Sequence, residues 1–318
     1  MTTTTDATST TDAATMPPLP IPPVPAGLVL ALVNTPAGPT PAALRAVPEP
    51  AAHPDEAIVA VHASSLNRGE LALLTGRPEG WRPGQDIAGV VATPAADGSG
   101  PRAGTRVVGL VEGAGWAQRV AVPVSRLAAL PDPVSFAAAA ALPMAGLTAL
   151  RTLRLGGALL GRRVLVTGAT GGVGTFAVQL ARRAGARVTG VVAATDAPDE
   201  PFDLILESVG DASLAAAVRR VAPHGTVVVF GNSSGEDTPL NLYQFLGHEG
   251  ARLQTFFSYD PGTSDAIGAD LGVLAALVAE GALVPQIGAE ASWRDLDQAV
   301  AALRDRKIAG KAILHVDQ

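Results

Sequence analysis

Among its 318 residues the chain has no cysteine. Disulfides, iron–sulfur clusters, a thiolate nucleophile and cysteine-held zinc are therefore excluded. Lysine is nearly absent too: only Lys307 and Lys311 stand beside 21 arginines. Charged residues make up 16% and the formal net charge is −6, a balance that argues against a nucleic-acid partner. Long apolar runs are missing. The windows around Phe136 to Leu150 and Leu271 to Val278 are Ala-rich, and both fall short of the ~20 residues a bilayer span needs. The polar, slightly acidic start MTTTTDATSTTDAAT lacks the basic and apolar stretches of a secretory leader. A soluble, cytoplasmic chain is expected.

What is abundant is glycine (35), proline (26) and hydrophobic residues, 47% of the chain. The length exceeds what one core usually serves, so two domains are expected. Residues 1–27 read as a disordered arm, a Thr/Ser/Asp tract running into PPLPIPPVPAG. From Leu28 to about Leu130 the signals are short and β-like: LVLALVN, AIVAVHASS, DIAGVVATP, TRVVGLV and AQRVAVP, parted by Gly/Pro turns. That spacing suggests a compact β-barrel. At Pro131 the texture changes to a helical stretch, with Asp132 or Ser135 as cap, and then to β/α alternation.

The strongest motif is VLVTGATGGVGTFAVQLARRAGA, residues 164–186. An apolar strand runs into a glycine turn, Gly168 to Gly174, and an amphipathic helix follows. Gly171 lets the backbone approach a pyrophosphate, Gly174 permits close helix–strand packing, and the exposed amides of the helix N-terminus, where the helix starts at Thr175, face the anion.

With SSLNRGEL (64–71), RPGQDIAGVV (82–91), AALPMAGLTAL (140–150), FDLILESVG (202–210), GTVVVFGNSSG (225–235) and KIAGKAIL (307–314) in order, the chain resembles the medium-chain dehydrogenase/reductase superfamily. The resemblance is to its zinc-independent quinone oxidoreductase and enoyl reductase branch. It implies an α/β fold with a Rossmann-type parallel-sheet domain (131–255) and a GroES-like β-barrel substrate domain built from 28–130 and 256–318. It also implies NADPH in the cleft, NADH being the alternative. Two departures stand out. Zinc-dependent relatives carry Cys and a His-Glu pair where this chain reads Gln85-Asp86, and His53, His62, His224, His248 and His315 show no ligand spacing, so no metal is expected. After the second Rossmann strand, VVAATDAPDEP leads almost directly into FDLILESVG, a shortening of about twenty residues against the family pattern. The missing part would flank the adenosine end, and no Lys or Arg occurs between Arg187 and Arg219. Dinucleotide binding is thus either altered in cofactor choice or lost.

By the same resemblance, Asn67 and Thr148 sit near nicotinamide and substrate, Lys311 belongs to a Gly-Lys step that contacts cofactor or substrate, and Glu70 and Asp86 occupy familiar acidic positions. Asn232 and Ser233 follow a strand end, where α/β ligands bind. Tyr243 and Tyr259 are the only phenols, and Tyr243 is taken as a candidate proton donor. The cofactor set is Thr148, Gly168, Gly171, Gly172, Val173, Gly174, Asn232, Ser233 and Lys311. The catalytic set is Asn67, Thr148 and Tyr243. Reduction of an activated C=C bond or quinone of a small molecule in secondary metabolism competes with a non-redox cyclase, isomerase or dehydratase on the same fold, and with a non-catalytic partner tethered by the arm. A homodimer is expected, with TVVVF (226–230) near the sheet edge.

Overall fold

The computed structural model describes residues 24–38, 40–258 and 267–318; residues 1–23 of the expected arm, and Tyr259, lie outside them. Strands β1 (Leu28–Asn34) and β2 (Ala42–Pro48) form an antiparallel pair. Then come β3 (Glu56–Leu66), α1 (Arg68–Gly76), β4 (Asp86–Thr93), β5 (Arg106–Leu110), β6 (Arg119–Pro123) and β7 (Leu127–Ala129). Helices α2 (Phe136–Ala140) and α3 (Pro143–Leu155) lead into β8 (Arg163–Val166), α4 (Gly172–Arg183), β9 (Arg187–Gly190), β10 (Phe202–Glu207), α5 (Asp211–Val218), β11 (Val221–Val229) and β12 (Arg252–Thr255). Finally come α6 (Ile267–Ala279), β13 (Ile287–Ser292), α7 (Leu296–Arg304) and β14 (Lys311–His315).

Two main sheets result. One has seven strands in the order β13-β14-β3-β4-β5-β7, with β6 also on β3, and joins strands from both ends of the chain. The other is parallel, in the order β12-β11-β10-β8-β9. The expected α/β class, a Rossmann-type sheet beside a GroES-like barrel, is the fold adopted.

Local chemistry explains the elements that place the site. Ser135 caps α2 by accepting the Ala138 amide at 3.1 Å, and Pro143 opens α3 at a position where its missing N–H costs nothing. Phe176, Ala177, Leu180 and Ala181 bury one face of α4, and Arg182 and Arg183 sit in its last turn, where cations favour the helix dipole. The apolar VLV of β8 is fully buried, as a central parallel strand requires. One apolar cluster runs from Ala63, Ala88 and Val108 of the barrel through Leu142 and Ala145 to Val166 and Phe176, so the two sheets share a core. A second fills the barrel around Trp116 and Trp293. No helix among the described residues is long and apolar enough to cross a membrane.

The topology corrects two expectations. Thr226 to Val229 of TVVVF belong to β11, which pairs with β10 on one side and β12 on the other, so the run is not an edge. Among the described residues the edge is β12, whose sequence RLQT is too polar to announce a strand. At the opposite side β9 is the outermost strand among the described residues; the chain leaves it through a 3₁₀ turn at Ala194–Asp196 and re-enters the sheet as β10 beyond β8.

Candidate active site

The glycine turn lies at the C-terminal edge of the parallel sheet. Gly168 has φ +58°, a left-handed conformation that side chains disfavour, and a Cβ on it would stand 2.8 Å from Ser208 Oγ. A Cβ on Gly174 would be driven into the Gly168 carbonyl, whereas one on Gly171 would meet only that oxygen, at 3.2 Å. Gly171, ahead of α4, is therefore hindered by that one carbonyl alone. The amides of Val173 and Gly174 donate to no protein acceptor among the described residues. Unpaired amides at a helix start form an anion cradle, and a Cβ at Gly171 would fill it.

Against this turn stands a buried polar cluster. The Gly310 amide donates to Thr170 O at 3.0 Å, which brings the start of β14 to the turn. The Lys311 stem then lies so close that a Cβ on Gly172 would be 3.0 Å from its Cδ. Lys311 Nζ donates to Asn67 Oδ1 and, at 3.2 Å, to Asp86 Oδ2. Asp86 is fully buried. Its Oδ2 also accepts from Ser65 Oγ and from Asn67 Nδ2 at 2.8 Å, while its Oδ1 accepts the Met144 amide at 2.8 Å, tying β4 to the start of α3. Asn67 caps α1 in a box with Glu70, whose Oε2 accepts the Asn67 amide at 2.8 Å. Burial, and next the Asp86 charge, push the Glu70 carboxyl up to about 8 from an ordinary value near 4.5. Its Oε1 is buried without a partner.

Thr148, one turn along α3, donates to Met144 O at 2.7 Å and lies 3.0 Å from Ser258 Oγ. On the far side of the turn the Ser233 amide donates to Ser208 O at 3.0 Å, and Arg306 bonds the Ser233 carbonyl at 2.9 Å. Asn232 uses its side chain within its own loop, accepting from Ser234 Oγ at 2.8 Å and donating to Glu236 O at 3.1 Å. Glu207, buried at the end of β10, accepts from Thr167 Oγ1, Ser213 Oγ and the Val209 and Gly210 amides, which holds the Ser208 turn in place.

The fold thus gathers Asn67, Thr148, Lys311 and the glycine turn, with Asn232 and Ser233 at the next strand ends. Tyr243 is not among them. It is 75% exposed in a 3₁₀ turn, Leu242–Phe245, where its amide donates to Asn241 Oδ1 at 2.9 Å. There it lines an open groove of about 1070 Å³ with Arg219, Arg220 and His248. Arg219 and Arg220 directly precede β11, so this groove lies at the N-terminal edge of the parallel sheet, opposite the glycine turn. Ser65, Ser258 and Arg306 bond to Asp86, Thr148 and Ser233 of this group and escaped sequence reasoning. Ser65 lies within a quoted motif without any positional signal, and nothing local marks the other two.

A dinucleotide fits this geometry unevenly. The cradle for its diphosphate is open, but no strand flanks β9 among the described residues, so the adenosine side lacks a wall. Among the described residues no group of three or more His, Cys, Asp or Glu could hold a metal ion.

Residues 53–132 match the family "Alcohol dehydrogenase GroES-like domain" and residues 183–314 the family "Zinc-binding dehydrogenase". The chain is 33% identical over 293 residues to the spectinabilin polyketide synthase system protein NorB of Streptomyces orinoci, a match covering 82% of this chain and 13% of that protein. It is 30% identical over 244 residues to the 2-methylene-furan-3-one reductase of Solanum lycopersicum, covering 64% of this chain and 61% of the relative. The chain therefore spans less than two thirds of the curated relatives it matches. An alcohol dehydrogenase superfamily protein from Novosphingobium aromaticivorans superposes with a TM-score of 0.81 at 25% identity, covering 91% of this chain and all of that one. Motif order, the two sheets and these matches agree: the chain belongs to the medium-chain dehydrogenase/reductase superfamily, in its zinc-independent quinone oxidoreductase and enoyl reductase branch.

Proposed function

We propose that the chain is an NAD(P)H-dependent oxidoreductase that reduces an activated carbon–carbon double bond or a quinone of a small molecule, in secondary metabolism. The observation that carries this reading is the meeting of the open glycine turn with the buried Lys311–Asp86–Asn67 cluster at Gly172. A reduced nicotinamide, when bound, supplies the hydride. The Val173 and Gly174 amides hold the diphosphate, and Gly171 leaves room for it. Lys311 has three N–H bonds, and two are directed at Asn67 and Asp86. The third is available to the substrate oxygen on which negative charge develops, and the Thr148–Ser258 hydroxyl pair is a second polar contact. Asp86 and Asn67 fix the ammonium in place, a preorganisation that costs nothing at the moment of reaction.

The named relatives support the substrate class: a polyketide synthase protein and a furanone reductase. The unwalled side of β9 favours a second reading, a non-redox enzyme on the same fold. A homodimer pairing through β12 completes the proposal, since Arg252, Leu253, Gln254 and Thr255 leave that edge exposed. Titration with NADPH and NADH, followed by nicotinamide fluorescence and then by turnover with enones and quinones, tests the first reading. Saturable micromolar binding with hydride transfer is expected. Absence of binding at millimolar concentration overturns it and leaves the non-redox reading.

A further inference from the structure

The parallel sheet is complete on one side of the glycine turn and cut short on the other. In a sheet of this kind the diphosphate sits at the α4 N-terminus, and the adenosine beyond it crosses the end of the strand next to β8, which here is β9. A further strand and helix would normally wall that crossing. Among the described residues there is neither, because the chain turns back through Ala194–Asp196 straight into β10.

The side chains left at the end of β9 read nothing. Val192 is 61% exposed. The Asp196 carboxylate is engaged by its own turn, accepting the Ala193 amide at 3.3 Å and the Thr195 hydroxyl at 3.4 Å. The turn is fastened below by Ser213 of α5, which accepts the Ala194 amide at 2.9 Å. The charges carried by the turn and by the start of α5 are Asp196 and Asp211, both negative. Arg187 begins β9 and so stands at the opposite edge of the sheet, and Arg219 follows the far end of α5. On the correct edge, Lys311 is turned to Asn67 and Asp86, and Arg306 is bonded at Ser233 after β11, with β10 and β8 between it and β9. Among the described residues, nothing at this end complements a 2′-phosphate, two carboxylates oppose one, and nothing encloses an adenine.

We propose that the site grips only the nicotinamide–ribose–diphosphate half of its cofactor and leaves the adenosine half in solvent. Reduced nicotinamide mononucleotide is then accepted as a ligand in its own right, and the 2′-phosphate that separates NADPH from NADH goes unread. This rests on the reductase reading. It assigns the ligand class by what the walls of the cleft can touch: the Gly171 cradle, the Lys311 stem and the cluster behind it.

The test is equilibrium binding to the full chain, by nicotinamide fluorescence or calorimetry, of NADH, NADPH and reduced nicotinamide mononucleotide. Adenosine 2′,5′-bisphosphate serves as the competitor. The expected result is NADH and NADPH within about threefold of each other, the mononucleotide within about tenfold of NADH, and no displacement by millimolar adenosine bisphosphate. NADPH more than about threefold tighter than NADH, a mononucleotide more than about tenfold weaker, or displacement by the bisphosphate overturns the proposal while leaving the reductase reading standing. Failure of all three nicotinamide compounds to bind removes both.

Discussion

Glu70→Gln removes one titrating group from the interior and keeps its shape. The Glu70 carboxyl is fully buried beside Asp86 and is pushed up to about 8. A carboxyl whose pKa is higher folded than unfolded holds its proton more tightly in the native state. Its contribution is complete below the ordinary value near 4.5 and is lost as pH rises towards 8. The full shift corresponds to roughly 5 kcal/mol, of which about 3 kcal/mol falls between pH 5.5 and 8.5. Desolvation dominates the shift, the Asp86 charge adds to it, and the Asn67 amide and Lys311 oppose it without cancelling it. Glutamine cannot ionise, so the variant should lose this part of the pH dependence. At low pH, where the wild-type carboxyl is protonated, the variant should be less stable by about 1–3 kcal/mol, because an amide replaces a carboxyl oxygen that has no partner, and this deficit should close or reverse as pH rises towards 8. Urea unfolding at a series of pH values reads both quantities. Tryptophan fluorescence is a suitable signal, since Trp116 and Trp293 are buried in the barrel core with Leu74 of α1. The diagnostic is the slope of stability against pH, not its level. Parallel profiles for the wild type and Glu70→Gln would refute the assignment of a raised Glu70 pKa.

Two glycine substitutions separate binding from folding. Gly171→Val meets only the Gly168 carbonyl oxygen, 3.2 Å from its Cβ, so it should cost about 1–2 kcal/mol of stability. It should abolish binding of all nicotinamide ligands, and a folded variant with unchanged titrations would contradict the cradle. Gly174→Val meets the Gly168 carbonyl and should destabilise by more than about 3 kcal/mol, visible as a lowered melting temperature. At the other end of the sheet, Leu253→Arg places charge at the exposed edge of β12, where Leu253 is 44% exposed. Light scattering should give twice the chain mass for the wild type and one chain mass for this variant; a monomeric wild type at micromolar concentration would reject the pairing.

The glycine turn, its strand and its helix were legible in the sequence because every residue involved acts within one continuous segment. Gly168, Gly171 and Gly174 are required by the turn and by the helix that starts there, and neither depends on distant chain. The buried cluster is of another kind. Lys311 and Asp86 are 225 residues apart, and family resemblance pointed to each separately without pairing them. They meet because β14 pairs antiparallel with β3, Ala312 opposite Leu66, and β3 pairs with β4, a register that no local pattern encodes. Ser258 reaches Thr148 by the same kind of long-range placement. Tyr243 was chosen for its phenol alone, and strand direction put it at the wrong edge of the sheet. TVVVF looked like an edge because the strand covering it, RLQT, is polar and short. The shortening after Val192 was visible in the chain, but only the strand order turned it into an open wall beside β9. Sequence by itself determined the elements whose hydrogen bonds and apolar faces close locally. Tertiary structure decided which charges share a site, because burying them together requires sheet pairings made across hundreds of residues.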